Sequence, residues 1–350
     1  MAVDGTPLQR PKSGIGTYTG EILGALERSS PVLLTVWGAP AGRAIPGPRP
    51  FGRHWRWPGQ VRRSRAQLFF GPAGQLPLRG VGCPTVITVH DLAIYVHPEW
   101  FPARQPLSTR LVVPRSVSLA TAIIAVSDNT RADLERFFGM TGERVNVVPE
   151  GVSSRFRPLP RETLGDVRRR YSLPDRFLLF VSTLEPRKNL PTLLDAWEGL
   201  ATRRRLPLVV AGGWGWRAGP IRARVERVRS GLHLIGPVDP GDLPAIYNLA
   251  DCLVHPAWYE GFGLTPLEAM ACGTPVVCSD AASLPEVVDN AALLVAPGDV
   301  DGWRQALERM LDDVDLARRL RAAGLARAAE FSWQRAAEAT WKVFTAAARA

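Results

Sequence analysis

The chain has 350 residues, enough to bury two hydrophobic cores, and its 46% apolar and 22% charged residues are typical of a folded globular protein. No apolar run approaches the roughly 20 residues that span a bilayer, and the first residues lack the pattern of a signal peptide, so we expect a cytoplasmic protein. The net charge of +10 attracts polyanions. Nearly all of the basic residues are arginines, however, and such an excess is expected from GC-rich codon usage as much as from a binding surface.

The first half of the chain alternates between apolar strand patterns and helical patterns, which is typical of a parallel sheet covered by helices. A loop containing Gly14 and Gly16 leads into one helix, and a second helix at 128–138 is closed by Gly139. Residues 39–58 are rich in glycine and proline and are predicted to be a loop. The predicted strands cover residues 2–4, 32–37, 86–89, 123–126 and 145–148.

A polar, proline-containing stretch at 155–160 interrupts this pattern and is the predicted hinge between two domains, residues 1–155 and 156–330. The second domain repeats the alternation of strands and helices, and the final segment, 331–350, has apolar residues at helical spacing. Its strands are predicted at 177–182, 208–211, 232–235, 252–255, 274–278 and 293–295, and the helices at 190–200, 303–310, 316–330 and 332–348.

Two glutamates, Glu260 and Glu268, flank a Gly-Phe-Gly turn that follows the strand predicted at 252–255. Thr265 and Pro266 carry the usual signals of a helix start, and the free N–H groups of a first helical turn favour a phosphate. Glu260 would then face the group that is bonded to the phosphate. Glu268 lies three residues after Thr265, so a capping box with the Thr265 N–H is an alternative that stays open.

Several segments resemble, in the same order, the motifs of the retaining nucleotide-sugar glycosyltransferases of family 4. Together these motifs extend over nearly the whole chain, and within the family the chain is most similar to the mannosyltransferase-B-like branch, which extends bacterial surface polysaccharides. The matching segments are 13–18, 88–92, 185–190, 260–268 and 268–277.

The resemblance implies an α/β protein of GT-B architecture, with two Rossmann-like parallel-sheet domains facing each other across a deep cleft. Residues 1–155 would bind the acceptor and residues 156–330 the nucleotide sugar. The C-terminal helix within 331–350 would cross back onto the first domain.

The resemblance also assigns residues to the donor. Glu260 would bind the hydroxyls of the donor sugar and Glu268 those of the ribose, while the base would stack near Val238. The amides at the start of the helix would hold phosphate, and Gly14 and Gly16 would let backbone approach the diphosphate. The full implied set is Gly14, Gly16, Arg187, Lys188, Val238, Glu260, Gly261, Phe262, Gly263, Leu264, Thr265 and Glu268.

Arg187 and Lys188 follow the strand predicted at 177–182. A basic pair on a surface loop is usually only solvated. The resemblance instead makes both residues catalytic, because two fixed cations stabilise the charge that a departing nucleoside diphosphate gains in the transition state.

His90 ends the strand predicted at 86–89, and a lone histidine most often bonds to nearby backbone. The resemblance instead places His90 at the donor sugar as a catalytic residue, beside Glu260, Arg187 and Lys188. No carboxylate in this half matches a family nucleophile, so the implied mechanism is a front-side displacement assisted by the leaving phosphate.

Neither a metal nor a cofactor is expected. The two Asp-x-Asp pairs begin at Asp299 and Asp313, and both precede helical patterns, so we interpret them as helix N-caps. The histidines show no zinc spacing, and Gly14-x-Gly16-x-x-x-Gly20 misses the dinucleotide fingerprint, which disfavours NAD. The four cysteines, interpreted as buried free thiols, are Cys83, Cys252, Cys272 and Cys278.

The expected partners are a nucleotide-sugar donor and a saccharide, lipid-linked or secondary-metabolite acceptor, with no specific nucleic acid. The branch favours GDP-mannose, although relatives with similar motifs use UDP sugars. An arginine cluster near Trp55 and Trp57 suggests a peripheral contact at the inner face of the membrane. The three arginine clusters are Arg62, Arg63 and Arg65; 203–205; and Arg222, Arg224, Arg227 and Arg229.

Other classes of protein stay open at this point. A sugar-nucleotide epimerase can share the two-domain fold, and so can a polysaccharide phosphorylase, which would need a lysine for pyridoxal phosphate where only Lys188 is available. The interpretation of the chain as a basic membrane-binding or nucleic-acid-binding protein would rest on the net charge alone.

Overall fold

The computed structural model describes residues 1–9, 13–30, 32–38, 52–102, 108–204, 206–228 and 230–349. These residues form two compact units, each built on one six-stranded parallel sheet. The first unit comprises Met1–Val96, Ala103–Gly151 and Phe331–Ala350, and the second comprises His97–Pro102 and Val152–Glu330.

The first sheet has the strand order β2-β1-β3-β4-β5-β6, with every neighbouring pair parallel. All residues of its central strands β4 and β5 are buried, as expected for a parallel sheet covered on both faces. The strands are β1 (Ala2–Asp4), β2 (Thr35–Trp37), β3 (Phe69–Gly71), β4 (Thr85–Val89), β5 (Ala122–Ala125) and β6 (Val145–Val147).

The strand β3 is absent from the sequence prediction. Its three residues, Phe-Phe-Gly, are too short a run to show a period, and they become a strand by pairing with β1 and β4.

The described residues of the first half of the chain contribute five α-helices to the first unit. The predicted helix at 128–138 is confirmed, with the Ser127 hydroxyl accepting from the Thr130 N–H and Gly139 in the left-handed conformation at φ 63°. The helices are α1 (Gly14–Ser29), α2 (Gly52–Arg63), α3 (Ala93–Val96), α4 (Val113–Leu119) and α5 (Asp128–Phe138).

The loop prediction for residues 39–58 is wrong where it meets α2, which carries Pro58 in its interior; residues 39–51 lie outside the described part of the chain. Burial explains the helix. Trp57 is 2% exposed, and its ring lies 6.3 Å from that of Trp37 and 6.4 Å from that of Phe69. Tertiary packing of this aromatic cluster outweighs the cost of the proline.

The second sheet has the order β12-β11-β10-β7-β8-β9, again with parallel pairs throughout. All six strands predicted for this half are confirmed, with ends shifted by no more than two residues. The strands are β7 (Leu178–Val181), β8 (Leu208–Ala211), β9 (Leu232–Gly236), β10 (Cys252–His255), β11 (Val276–Ser279) and β12 (Leu293–Val295).

The direction of this strand order reverses between β7 and β10, which lie side by side at the centre of the sheet. The loops that follow β7 and β10 therefore leave the same edge in opposite directions. Open parallel sheets bind ligands at such a switch point.

In the described part of this unit, eight α-helices cover the second sheet, and its core includes the fully buried side chains of Phe180, Trp197 and Trp303. The helices are α6 (Gly165–Arg170), α7 (Leu190–Arg204), α8 (Gly219–Glu226), α9 (Leu243–Leu249), α10 (Leu264–Ala271), α11 (Leu284–Val288), α12 (Val300–Asp312) and α13 (Val314–Ala329).

The last helix, α14 (Trp333–Ala347), belongs to the first unit and packs against α1. The ring of Phe344 lies 4.9 Å from that of Phe70, and the ring of Trp333 lies 5.8 Å from that of Tyr18. Within the described ranges, no helix has the length and apolar character needed to cross a membrane.

Gly151 lies at the end of one segment of the first unit and touches the start of another. A β-carbon on Gly151 would stand 2.2 Å from the backbone nitrogen of Trp333 and 2.5 Å from the carbonyl carbon of Ser332. Since these are backbone atoms, no side-chain rotation relieves the contact. We expect Gly151→Ala to lower the free energy of unfolding by about 1–3 kcal/mol, as measured by urea titration.

Gly59→Ala on α2 is the matched control, because a β-carbon there would meet nothing within 4 Å. A better helix former in this exposed position should leave stability unchanged or raise it by about 0.5–1 kcal/mol. Equal stability of the two variants would contradict the close packing at Gly151.

Candidate active site

The loop after β7 presents its charged residues through a short 3-10 turn, Pro186–Lys188. Asn189 ends this turn in the left-handed conformation, at φ 56°. Its side-chain amide donates to the carbonyl oxygens of Pro256, at 3.0 Å, and Pro297, at 2.8 Å. Because these carbonyls belong to the loops after β10 and β12, Asn189 fixes the charged turn against its neighbours.

The side chains of Arg187 and Lys188 converge on the carboxylate of Glu260. Lys188 Nζ lies 2.5 Å from Glu260 Oε1, and Arg187 Nη1 lies 3.2 Å from Glu260 Oε2. His255 Nε2 donates to Glu260 Oε1 at 2.8 Å. The Lys188 and Glu260 side chains are only 12% and 11% exposed. The structure thus brings together three of the four predicted catalytic residues, those of the second unit.

Charge compensation sets the ionisation of this cluster. Burial by itself raises the pKa of Glu260, but Lys188, Arg187 and the hydrogen bond from His255 outweigh burial and hold that pKa well below its usual value. Burial lowers the pKa of Lys188, and it also lowers the pKa of His255. Glu260 is therefore an anion at neutral pH, and His255 is a neutral imidazole.

Glu185 adds a second carboxylate to the cluster. Its Oε1 accepts from Arg187 Nε at 3.1 Å, and its buried Oε2 has no hydrogen-bond partner among the residues that the structure describes. Burial raises the pKa of Glu185, against the pull of Arg187 and Lys188. Neither Glu185 nor His255 is among the predicted site residues. Their positions, on the loop after β7 and at the end of β10, are the signal that could have found them.

Gly263 shapes the turn between Glu260 and α10. It is the N-cap of α10 at φ 113°, a conformation that favours glycine, and a β-carbon there would stand 2.9 Å from Leu284 Cδ2, so that side chain would have to shift. The Ser283 hydroxyl lies 2.9 Å from the Glu260 carbonyl oxygen and 2.7 Å from that of Phe262. These contacts hold the backbone of the turn in one conformation.

Glu268 does not form a capping box. The helix α10 begins at Leu264, so Thr265 lies within its first turn and is not its N-cap. Glu268 Oε2 instead accepts from the Tyr247 hydroxyl at 3.0 Å. Burial raises the pKa of Glu268 to about 7, although Tyr247 and Arg155 oppose the shift.

Gly14 and Gly16 lie inside the first turn of α1 and not in a loop before it, which corrects the sequence interpretation. Ser13 is the N-cap, and its hydroxyl accepts from the Gly16 N–H at 3.0 Å. A strong N-cap starts the helix at Gly14 and occupies the Gly16 amide within the helix. Val238, the residue implied at the base, is half-buried just after β9.

His90 follows β4 in the first unit, and both of its ring nitrogens are bonded. Nδ1 lies 2.9 Å from Glu150 Oε1, and Nε2 lies 2.8 Å from the Pro72 carbonyl oxygen. The Pro72 carbonyl oxygen can only accept, so Nε2 donates; with Glu150 as a carboxylate, Nδ1 also donates and the ring is an imidazolium. Burial lowers the pKa of His90, but Glu150 and the Pro72 carbonyl outweigh burial and raise it overall. In this structure His90 bonds to nearby groups of its own unit. Its contact with a donor sugar stays a prediction.

The Asp-x-Asp pairs are confirmed as helix N-caps. Asp299 Oδ1 accepts from the Gly302 N–H at 2.9 Å, and Asp313 Oδ1 accepts from the Leu316 N–H at 2.8 Å. In the described ranges no group of three or more His, Cys, Asp or Glu residues is arranged to hold a metal ion. The four cysteines are free thiols, and all but the half-buried Cys83 are buried.

Two family models match the chain: "Glycosyltransferase Family 4" over residues 14–156 and "Glycosyl transferases group 1" over residues 168–327. The O-antigen chain mannosyltransferase B of Escherichia coli is 37% identical over 279 residues, which cover 78% of this chain and 73% of that protein. The serotype-specific mannosyltransferase WbdA of Escherichia coli is 32% identical over 286 residues, 77% of this chain. The match covers 34% of WbdA, so the chain spans about a third of its length.

Solved structures share the fold at low sequence identity. The structure of Anabaena Alr3699/HepE in complex with UDP and glucose has a TM-score of 0.78 and 19% identity, over 99% of this chain and 98% of that chain. Sucrose-phosphate synthase from Thermosynechococcus elongatus has a TM-score of 0.75 and 23% identity, over 95% of this chain and 93% of that chain. These likenesses establish the expected GT-B fold.

The buried pair of His90 and Glu150 has a consequence for stability. His90→Gln removes the cation and leaves the Glu150 carboxylate buried, so we expect the free energy of unfolding to fall by roughly 2–4 kcal/mol at pH 6. Because the folded-state pKa of His90 is raised, its stabilisation is fully present below the unfolded pKa of about 6.5 and disappears as pH rises through the folded value. Urea unfolding from about pH 6 to about pH 9 measures this difference.

His97→Gln is the control, because His97 pairs with Glu99 on the surface and should leave stability nearly unchanged at every pH. A His90→Gln effect that is the same across the pH range would contradict the charged pair.

Proposed function

The chain belongs to glycosyltransferase family 4, and we propose that it is a retaining, metal-independent mannosyltransferase that uses GDP-mannose. The observation that carries this proposal is the convergence of Arg187 and Lys188 on Glu260 beside the switch point of the second sheet. Epimerase and phosphorylase activities have no comparable support in the described residues, and Lys188, the lysine that a phosphorylase would need, is held in the ion cluster.

In the proposed reaction, Arg187 and Lys188 bind the diphosphate of the donor. A diphosphate carries more charge than one carboxylate and so competes with Glu260 for the same N–H groups. As the bond between the sugar and the phosphate breaks, negative charge grows on the leaving oxygen, and the two cations stabilise that charge most in the transition state. This electrophilic role requires no metal ion.

Glu260 serves the sugar side of the donor. Its carboxylate stays ionised in a largely buried position and can accept hydrogen bonds from the sugar hydroxyls. In a front-side displacement the acceptor oxygen bonds to the anomeric carbon on the face that the phosphate leaves. The proton of the acceptor hydroxyl passes to the leaving phosphate oxygen, and the configuration is retained.

The nucleoside would lie against α10 and the end of β9. The N–H groups at the start of α10 would meet a phosphate, Glu268 would accept from the ribose hydroxyls, and the base would lie near Val238. Since the pKa of Glu268 is about 7, this contact would strengthen as pH rises and the carboxyl ionises. The proposal of mannose rests on the two mannosyltransferase relatives. An O-antigen relative favours a saccharide or lipid-linked acceptor over a secondary metabolite.

A thermal-shift titration tests the donor. A nucleotide that binds only the folded state raises the melting temperature, and we expect GDP to do so selectively over UDP and ADP. We expect EDTA to leave this shift unchanged. Proton NMR of the first product from GDP-mannose should show an α-linked mannose.

Lys188→Gln, which keeps a donor for Glu260 but removes the charge, is the matching variant. It should stay folded, lose most of the GDP shift and lower turnover by roughly 100-fold or more. Selective stabilisation by UDP would show that the base of the donor is uracil and not guanine. Stabilisation by none of the nucleotides would overturn the proposed donor site.

We also propose that the first unit contacts an anionic membrane. Residues 28–90 contain nine arginines and no aspartate or glutamate, so no carboxylate of that stretch compensates their charge. On α2 the ring of Trp55 is 61% exposed, and the guanidinium of Arg79 lies 4.1 Å from its centre. Exposed arginines around an exposed tryptophan are typical of a helix that lies at a lipid surface.

Vesicle sedimentation tests the contact. Replacing Arg56, Arg62 and Arg63 with glutamine should weaken binding to phosphatidylglycerol-containing vesicles by roughly tenfold or more, because each arginine near such a surface contributes about 1 kcal/mol. Vesicles of pure phosphatidylcholine should bind the wild type and both triple variants weakly. The control replaces three exposed arginines of the second unit, Arg222, Arg227 and Arg319, which removes the same net charge. An equal loss in both triple variants would show that net charge alone matters and would contradict a docking face on α2.

A further inference from the structure

His255 is a buried histidine in contact with the ion cluster. Its side chain is 1% exposed at the end of β10, and its Nε2 lies 2.8 Å from Glu260 Oε1. The carboxylate is an acceptor, so Nε2 carries the hydrogen. Nδ1 is buried and has no hydrogen-bond partner within the described part of the chain, and the ring is therefore a neutral donor.

The other donors to Glu260 have a second role in the proposed function. Arg187 and Lys188 bond to Glu260 and are also the groups proposed to bind the diphosphate. When these cations engage the diphosphate, Glu260 loses N–H donors. His255 has no net charge to draw it toward a second anion, and its buried ring on a central strand is held in place.

We infer that His255 is a positioning residue: its Nε2–H holds one oxygen of Glu260, so that the other oxygen is directed to the donor sugar while Arg187 and Lys188 bind the diphosphate. This inference rests on the proposed function. It differs from a purely structural role, because the hydrogen bond then contributes to binding of the sugar and not to binding of the nucleotide.

The hydrogen bond also affects the ionisation of Glu260. The charged groups that face His255 are Glu260, from the loop after β10, and Lys188 and Arg187, from the turn after β7; Glu185 joins them through Arg187. The bond from His255 is one of the interactions that keep the pKa of Glu260 low. Its removal raises this pKa, so the acid-side fall of kcat/KM moves to higher pH.

The experiment compares GDP with GDP-mannose as ligands of the full chain. We expect His255→Phe, which keeps a ring but no N–H, to weaken GDP-mannose binding by about tenfold or more and to leave GDP binding nearly unchanged. It should also shift the acid limb of kcat/KM upward. His255→Gln, whose amide can donate to Glu260, should recover much of the affinity, and His233→Phe on β9, an exposed site, is the matched control.

The outcomes separate the two proposals. If the wild-type protein binds neither ligand, the proposed function fails. If the wild type binds both and His255→Phe weakens them equally, or weakens neither, the positioning role is overturned and the proposed function stands. If His255→Phe does not fold, His255→Gln decides: a loss of GDP-mannose affinity smaller than tenfold with GDP binding unchanged supports the positioning role, and equal loss of both ligands, or loss of neither, contradicts it.

Discussion

Two cations, Arg187 and Lys188, lie largely shielded from solvent in the loop after β7, a central strand of the second sheet. Burying such charges costs several kcal/mol each unless an anion compensates them. Glu260 supplies that anion, and its own position depends on the Gly263 turn, on the Ser283 hydroxyl and on the bond from His255. The site therefore consists of groups that hold one another in place before any ligand arrives. Such preorganisation is what electrostatic catalysis requires.

The sheet topology explains why these groups meet. The strands β7 and β10 are neighbours although 70 residues separate them in sequence, and the loops after them leave the same edge. Asn189 then joins the loops after β7, β10 and β12 through two carbonyl oxygens. Parallel strands with crossover helices bring distant segments together in this way, so one edge collects short motifs from across the unit.

The first unit uses the same chemistry for a different purpose. His90 and Glu150 form a buried pair that is an ion pair when His90 is protonated, and the centres of the Tyr18 and His90 rings lie 4.6 Å apart in an edge-to-face arrangement. Both nitrogens of His90 are engaged within the unit, which makes this pair important for stability whatever its role in the reaction. A histidine that follows a strand can thus be part of the core network of its domain as well as a candidate for catalysis.

The sequence by itself determined the α/β class, the family and all six strands of the second sheet, and it singled out Arg187, Lys188 and Glu260, which the structure brings together. Periodicity and glycine turns are local properties, and short motifs keep their order along the chain. Only the tertiary structure decided the helix α2, the strand β3, the partner of Glu268 and the contacts of His255 and Glu185 with the ion cluster. Each of these depends on atoms distant in sequence: an aromatic cluster for Trp57, two neighbouring strands for β3, and Tyr247 for Glu268. Long-range burial and pairing override local propensity at these positions, and no local pattern encodes them.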